Sequence, residues 1–111
     1  NVTNFEVMAK QEIRLTLKNA GELPKESMGH NIVVLAPGTS IPDFATEAFR
    51  WKDADYIPEP YESSIMTHSR LLGPGESDTI TFDLENPGVY EFICSFPGHW
   101  GTMHGSITVS N

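Results

Sequence analysis

The chain has 111 residues, 39% of them hydrophobic, and carries 15 acidic against 7 basic residues for a formal charge of −8. That length buries one core and predicts a single domain over residues 1–111, and no apolar run approaches the ~18 residues of a membrane helix, so no membrane insertion is expected within it. The acidic balance argues against nucleic acid as a partner and either favours a basic partner or simply keeps a small protein in solution.

Asn1-Val2-Thr3 begins without a charged and apolar leader, as expected of a mature form or of a piece cut from a longer chain. Apolar and polar residues alternate over residues 3–8 and 13–18, the period of half-buried strands, with Ile13, Leu15 and Leu17 on one face and Arg14, Thr16 and Lys18 on the other. Residues 19–24 break the pattern as a turn or loop. Residues 31–35 are more continuously apolar, which predicts a strand covered on both faces, and Pro37-Gly38 ends it. Between residues 39 and 61 the alternation stops. Phe44, Ala45, Ala48 and Phe49 fall at helical spacing behind Pro42-Asp43, so a short helix is expected, and Pro58 and Pro60 forbid its continuation. This stretch reads as a helical flap laid across the end of a sheet. Strands follow at residues 64–72, 79–84, 89–94 and 106–110, with turns at 73–76 and 86–88. About seven short strands at this spacing predict an all-β sandwich.

The loop after residues 89–94 carries the chemistry. Cys94, the only cysteine, stands with His99 and Met103 at a spacing of Cys-x4-His-x3-Met in Cys94-Ser95-Phe96-Pro97-Gly98-His99-Trp100-Gly101-Thr102-Met103. A single cysteine excludes an internal disulfide, and metal ligation would give its thiol a role. Two imidazoles, one thiolate and a distant thioether are the donor set of a blue-copper electron-transfer site. His30, which opens an apolar run in Gly29-His30-Asn31-Ile32-Val33, is the expected second imidazole. One copper ion is therefore the expected cofactor. Asn31 is positioned to hydrogen-bond across to the cysteine loop, and the Phe96 amide to donate to the sulfur. Pro97 has no amide hydrogen and adds no donor, and few donors on an electron-rich thiolate favour the oxidised metal. His68 lies among polar neighbours and reads as a surface side chain, while strand geometry turns His104 away from its neighbour Met103.

Each of these residues has a plainer reading: the cysteine as a small buried hydrophobe, the methionine as core filler, the histidine beside glycine as a turn cap. Two other functions use the same groups. Cys94 activated by a histidine would make a thiol hydrolase, which leaves Met103 idle and lacks an evident orienting residue. A structural or storage site for zinc or Cu(I) is the other, although zinc usually takes four firm ligands.

Taken together, the residues resemble the azurin-type cupredoxins, blue copper proteins with auracyanin as a near relative. The resemblance rests on Leu23-Pro24-Lys25, Met28-Gly29-His30-Asn31, residues 66–76, Thr79-Ile80-Thr81-Phe82-Asp83, and Cys94-Ser95-Phe96-Pro97-Gly98-His99 with Met103 and Gly105. It implies a Greek-key β-sandwich, the cupredoxin fold, with a type 1 copper held by His30, Cys94 and His99 in a near-trigonal plane. Met103 would be the weak axial ligand and the Gly29 carbonyl a still weaker contact opposite it. It also implies an electron-transfer patch over His99, formed here by Met28, Phe96, Pro97, Trp100 and Thr102. The implied function is that of a one-electron Cu(II)/Cu(I) carrier and not of an enzyme. The implied partner is a redox protein such as a c-type cytochrome or a terminal oxidase or reductase. The implied location is periplasmic or otherwise extracytoplasmic, membrane-tethered if the full-length protein carries an anchor. Against the family pattern, an N-terminal strand and its disulfide are missing or lie upstream, Trp100 stands where a small residue is usual, and Thr102 replaces an apolar one. Partner choice is expected to differ accordingly.

Overall fold

In a computed structural model, which describes residues 4–19, 29–101 and 103–111, the alternating segments form seven strands in two sheets. These are β1 (Asn4–Met8), β2 (Ile13–Lys18), β3 (Val33–Leu35), β4 (Ile65–His68), β5 (Ser77–Phe82), β6 (Gly88–Ile93) and β7 (His104–Ser110). The larger sheet has the order β1-β7-β6-β3-β4 and the smaller pairs β2 with β5. β1 runs parallel to β7, with Phe5 opposite Ile107; the other pairings are antiparallel. Alternation decides which side chains meet between the sheets. Ile13, Leu15, Leu17, Ile80 and Phe82 from the small sheet pack against a buried cluster of Ile32, Val34, Leu84, Tyr90, Phe92, Ile107 and Val109.

β3 is buried at every position because both of its faces are covered. Val34 points into the space between the sheets. Val33 and Leu35 point the other way, where Ile93 and the fully buried Phe44 join them. Phe44 belongs to α1 (Ile41–Ala48), which has Pro42 and Asp43 in its first turn, where a missing N–H costs nothing and a carboxylate meets the positive end of the helix. Two 3-10 turns follow, Lys52–Ala54 and Glu59–Ser64, the second entered through Pro58 and Pro60. The flap therefore lies against the outer face of the large sheet, with Ile41, Ile57, Tyr61 and Ile65 completing the contact, and reaches the sheet's end through Ala48, Asp55 and Tyr56.

Two expected strands are shorter than their apolar runs. The run at residues 31–35 pairs only as β3, since the Asn31 and Ile32 amides donate to the Cys94 sulfur and to Ser69 Oγ instead of to a ladder. The run at residues 64–72 stops as a strand at His68: Ser69 N still donates to Ile32 O at 2.9 Å, but the Arg70 amide turns to Asp78 Oδ2 at 3.1 Å before Leu72 bridges His30. Phe49 is also not the inward residue that helical spacing implied. It follows the last turn of α1, about 100° round from Ala48, and is 66% exposed.

The two phenylalanines of the flap should respond differently to truncation. Phe44→Ala should cost about 3–5 kcal/mol of unfolding free energy, whereas Phe49→Ala should stay within about 0.5 kcal/mol. Urea unfolding midpoints of the two variants measure the difference, and equal midpoints would contradict this packing.

Candidate metal centre

Three side chains meet at the end of the sandwich where β6 gives way to the loop. His30 is held by its backbone bridge to Leu72, with Leu72 N donating to His30 O at 2.7 Å. Cys94 follows the last residue of β6, and its amide donates to the Met103 carbonyl at 2.9 Å. Between them the loop turns through Gly98, whose φ of +84° an L side chain would resist. The turn is closed by His99 N to Phe96 O at 3.0 Å and Met103 N to His99 O at 2.8 Å. The ligand atoms of His30, Cys94 and His99 consequently lie within 4.8 Å of one another, the only such group of histidine, cysteine or carboxylate side chains among the described residues. The Cys94 sulfur is 3.6 Å from His99 Nδ1, and the imidazole centroids are 5.0 Å apart.

Burial sets the electrostatics of all three groups. It pushes the Cys94 thiol above its ordinary pKa, opposed by hydrogen bonds from the backbone amides of Asn31 and Phe96. It pulls His30 and His99 below theirs; on His99 the charge of His30 adds to the effect and the Gly29 backbone carbonyl opposes it. His30 Nδ1 is buried and has no hydrogen-bond partner among the described residues, a costly state for a polar atom facing protein alone. Two neutral imidazoles and a thiol aimed at one point, one nitrogen with its lone pair unused, form a donor set that suits a soft or borderline metal ion such as copper. The same burial disfavours the nucleophilic thiolate that a thiol hydrolase would need.

The surrounding residues fall as follows. Met103 packs against the cluster of Ala48, Tyr56, Leu71, Cys94 and Phe96. Phe96 is buried, with its ring 4.7 Å from the His99 ring. Pro97 and Trp100 line a groove of about 370 Å³ together with Phe49 from beyond the helix, and Trp100 is 36% exposed. Met28 and Thr102 lie outside the described residues. His68 and His104 are exposed on β4 and β7 and take no part.

Asn31 does tie the two ligand segments together, through a pair of bonds with Ser95: Asn31 Nδ2 to Ser95 Oγ at 2.8 Å and Ser95 N to Asn31 Oδ1 at 2.8 Å. Sequence reasoning missed Ser95, since a serine beside a cysteine carries no signal of its own. It also counted too few donors on the sulfur. The Asn31 amide donates to Cys94 Sγ at 3.5 Å in addition to the Phe96 amide, a partner 63 residues away that adjacency to the cysteine cannot reveal. The added exposed aromatic, Phe49, was missed because its spacing matched the buried face of the helix.

Comparison with known proteins agrees with this geometry. A family profile described as copper binding proteins, plastocyanin/azurin family, matches residues 2–110. Azurin of Alcaligenes faecalis is 36% identical over 105 residues, covering 91% of this chain and 80% of that protein. Outer membrane protein H.8 of Neisseria gonorrhoeae is 36% identical over 103 residues, covering 91% of this chain; the chain spans only 55% of that protein's length. Among solved structures, dithionite-reduced auracyanin from Roseiflexus castenholzii superposes with a TM-score of 0.87 at 34% identity, covering all of this chain (100%) and 86% of that one.

The opposed shifts make a proton count. Near neutral pH both imidazoles, held below the ordinary value of 6.5, are uncharged, while the thiol, held above 9.0, keeps its proton. Loading the metal-free protein with Co(II) should therefore release about one proton per ion, from Cys94. Titration calorimetry in two buffers of different ionisation enthalpy measures it; release of none, or of three, would contradict the assignment.

Proposed function

The chain belongs to the plastocyanin/azurin family of copper-binding proteins, and from that premise we propose that it is the electron-carrying domain of a blue copper protein, with His30, Cys94 and His99 as the ligands of one type 1 copper ion. Met103, packed against the Cys94 cluster, and the Gly29 carbonyl would offer the same ion further, weaker donors. The convergence of the three ligand atoms, with His30 Nδ1 unpartnered among the described residues, is the observation that carries this reading. The bound ion would supply a one-electron Cu(II)/Cu(I) couple. The protein's own residues do the rest. Cys94 yields its proton and presents a thiolate to the ion, the Asn31 and Phe96 amides hold charge on the sulfur, and the Phe96 ring shields the site beside His99.

Electrons enter and leave at His99, under the apolar surface that includes Pro97 and Trp100; Phe49 widens that surface on the flap side. The partner is a redox protein, and a c-type cytochrome or a terminal oxidase or reductase fits the role. The similarity to azurins and to an outer membrane protein supports an extracytoplasmic place of work. A periplasmic location, with a tether upstream of the domain, is the specific form we propose.

Adding Cu(II) to the metal-free protein should produce an intense visible absorption from thiolate-to-copper charge transfer, and a folded protein without that band would refute the assignment. Cys94→Ala should remove the colour and leave the sandwich folded by circular dichroism, because its core lies between the sheets. Trp100→Ala should slow electron exchange with the redox partner while the visible spectrum stays nearly unchanged; equal rates would reduce Trp100 to an ordinary exposed aromatic.

A further inference from the structure

Asp55 and Tyr56, at the junction of the two 3-10 turns, are consecutive residues in the left-handed region, with φ of +55° and +61°. L-residues other than glycine visit that region sparingly and as single residues, so a pair of them is held there by its surroundings. What holds them is the base of the metal centre. Asn31 Nδ2 donates to Asp55 O at 3.1 Å, and Ser95 Oγ donates to Tyr56 O at 2.8 Å. Successive carbonyls point the same way in a helical turn of either hand and opposite ways in an extended chain. The left-handed pair thus brings both oxygens to Asn31 and Ser95, which are themselves 2.8 Å apart, where an extended chain would turn one of them away.

We infer that the left-handed Asp55–Tyr56 pair is a positioning element of the metal centre, locking the Asn31–Ser95 pair and through it the two backbone amides that face the Cys94 sulfur. The inference rests on the copper reading of the site. The Asn31 side chain spends one amide hydrogen on Asp55 O and the other on Ser95 Oγ, and its oxygen accepts from Ser95 N, so its orientation has no freedom left. Its backbone N–H then points at Cys94 Sγ. Ser95 stands between Cys94 and Phe96, so fixing it also fixes the Phe96 amide. The Tyr56 ring meets the Phe96 ring edge-on at 5.1 Å and 66°, holding the same residue from its other side. Tyr56 and Ser95 are both buried, at 7% and 2% exposure, which keeps water from competing for these bonds.

A β-branched residue is disfavoured in the left-handed region and glycine is at ease there. Asp55→Val and Asp55→Gly both delete the carboxylate, whose Oδ2 accepts from Leu71 N at 3.5 Å, and differ in which backbone conformation they tolerate and in the side chain valine adds. Loss of an outer partner of a ligand typically weakens metal affinity by about 10–100-fold. Asp55→Val should therefore bind Cu(II) at least about tenfold more weakly, with a changed copper hyperfine splitting and faster hydrogen exchange at the Asn31 amide of the metal-free protein; Asp55→Gly should restore all three. Valine and wild type behaving alike would overturn the proposal, as would glycine failing as badly as valine, since the carboxylate would then be the cause. If Asp55→Val does not fold, Ser95→Ala decides: about tenfold weaker binding supports the proposal and binding within about twofold of wild type overturns it. Absence of the visible band in the wild-type protein would be a failure of the copper reading itself, and is distinguishable from all of these.

Discussion

The reciprocal pair between Asn31 and Ser95 decides where the ligands can be. His30 and Cys94 stand on segments far apart in the chain, and each occupies the residue position just before one member of that pair. Asn31 and Ser95 are both almost wholly buried. A buried amide or hydroxyl is expensive unless every polar atom finds a partner, so the segments are driven into the single register that satisfies them together. An apolar contact at the same place would tolerate sliding. Directional bonds of 2.8 Å do not, and a metal centre needs that intolerance because its ligands must stay within a few tenths of an ångström.

The fold supplies this pair with walls. β3 is covered on one side by the small sheet and on the other by α1, and its continuation toward His30 ends in a site where Cys94 is buried and both imidazoles are partly buried. Desolvation acts on all three groups in the same sense, toward the uncharged form: it raises the thiol and lowers both imidazoles. The neutral form is what an imidazole needs to coordinate, and the reverse of what a thiol needs. The structure answers with two amides at the sulfur, where developing negative charge is otherwise unsolvated.

The legible part of the molecule was the part written locally. Cys94, His99 and Met103 share one loop, and a spacing between soft ligands can be read directly. The alternating runs that became β2 and β5 could be read in the same way. His30 was accessible because glycine and asparagine flank it at the head of an apolar run. The remainder is long-range. Nothing near Ser95 marks it as the partner of Asn31, 64 residues away, and although aspartate tolerates left-handed backbone better than most L-residues, nothing in Asp55-Tyr56 announces two such residues in a row. Phe49 misled for a related reason. Helical spacing says which residues share a face but not how wide a face the neighbours cover, and Phe49, still in helical backbone about 100° round from the buried Ala48, falls outside it.

The flap brings a charge pattern as well as a cover. Asp43, Glu47, Asp53, Asp55, Glu59 and Glu62 all fall between residues 41 and 62, against only Arg50 and Lys52, so this segment carries a net negative charge beside the apolar groove of Phe49, Pro97 and Trp100. The two features work at different distances. Unscreened charge acts over roughly a Debye length, about 8 Å at physiological ionic strength, and raises the rate at which a basic surface arrives in a useful orientation. Apolar contact acts only on touching, has no preferred charge partner and separates readily when the buried area is small. A carrier must both find its partner quickly and leave it after one electron. With acidic residues on the flap and apolar ones at the ligand loop, a carrier of the kind proposed would keep the attraction off the surface over His99, so that rapid encounter need not become tight binding there.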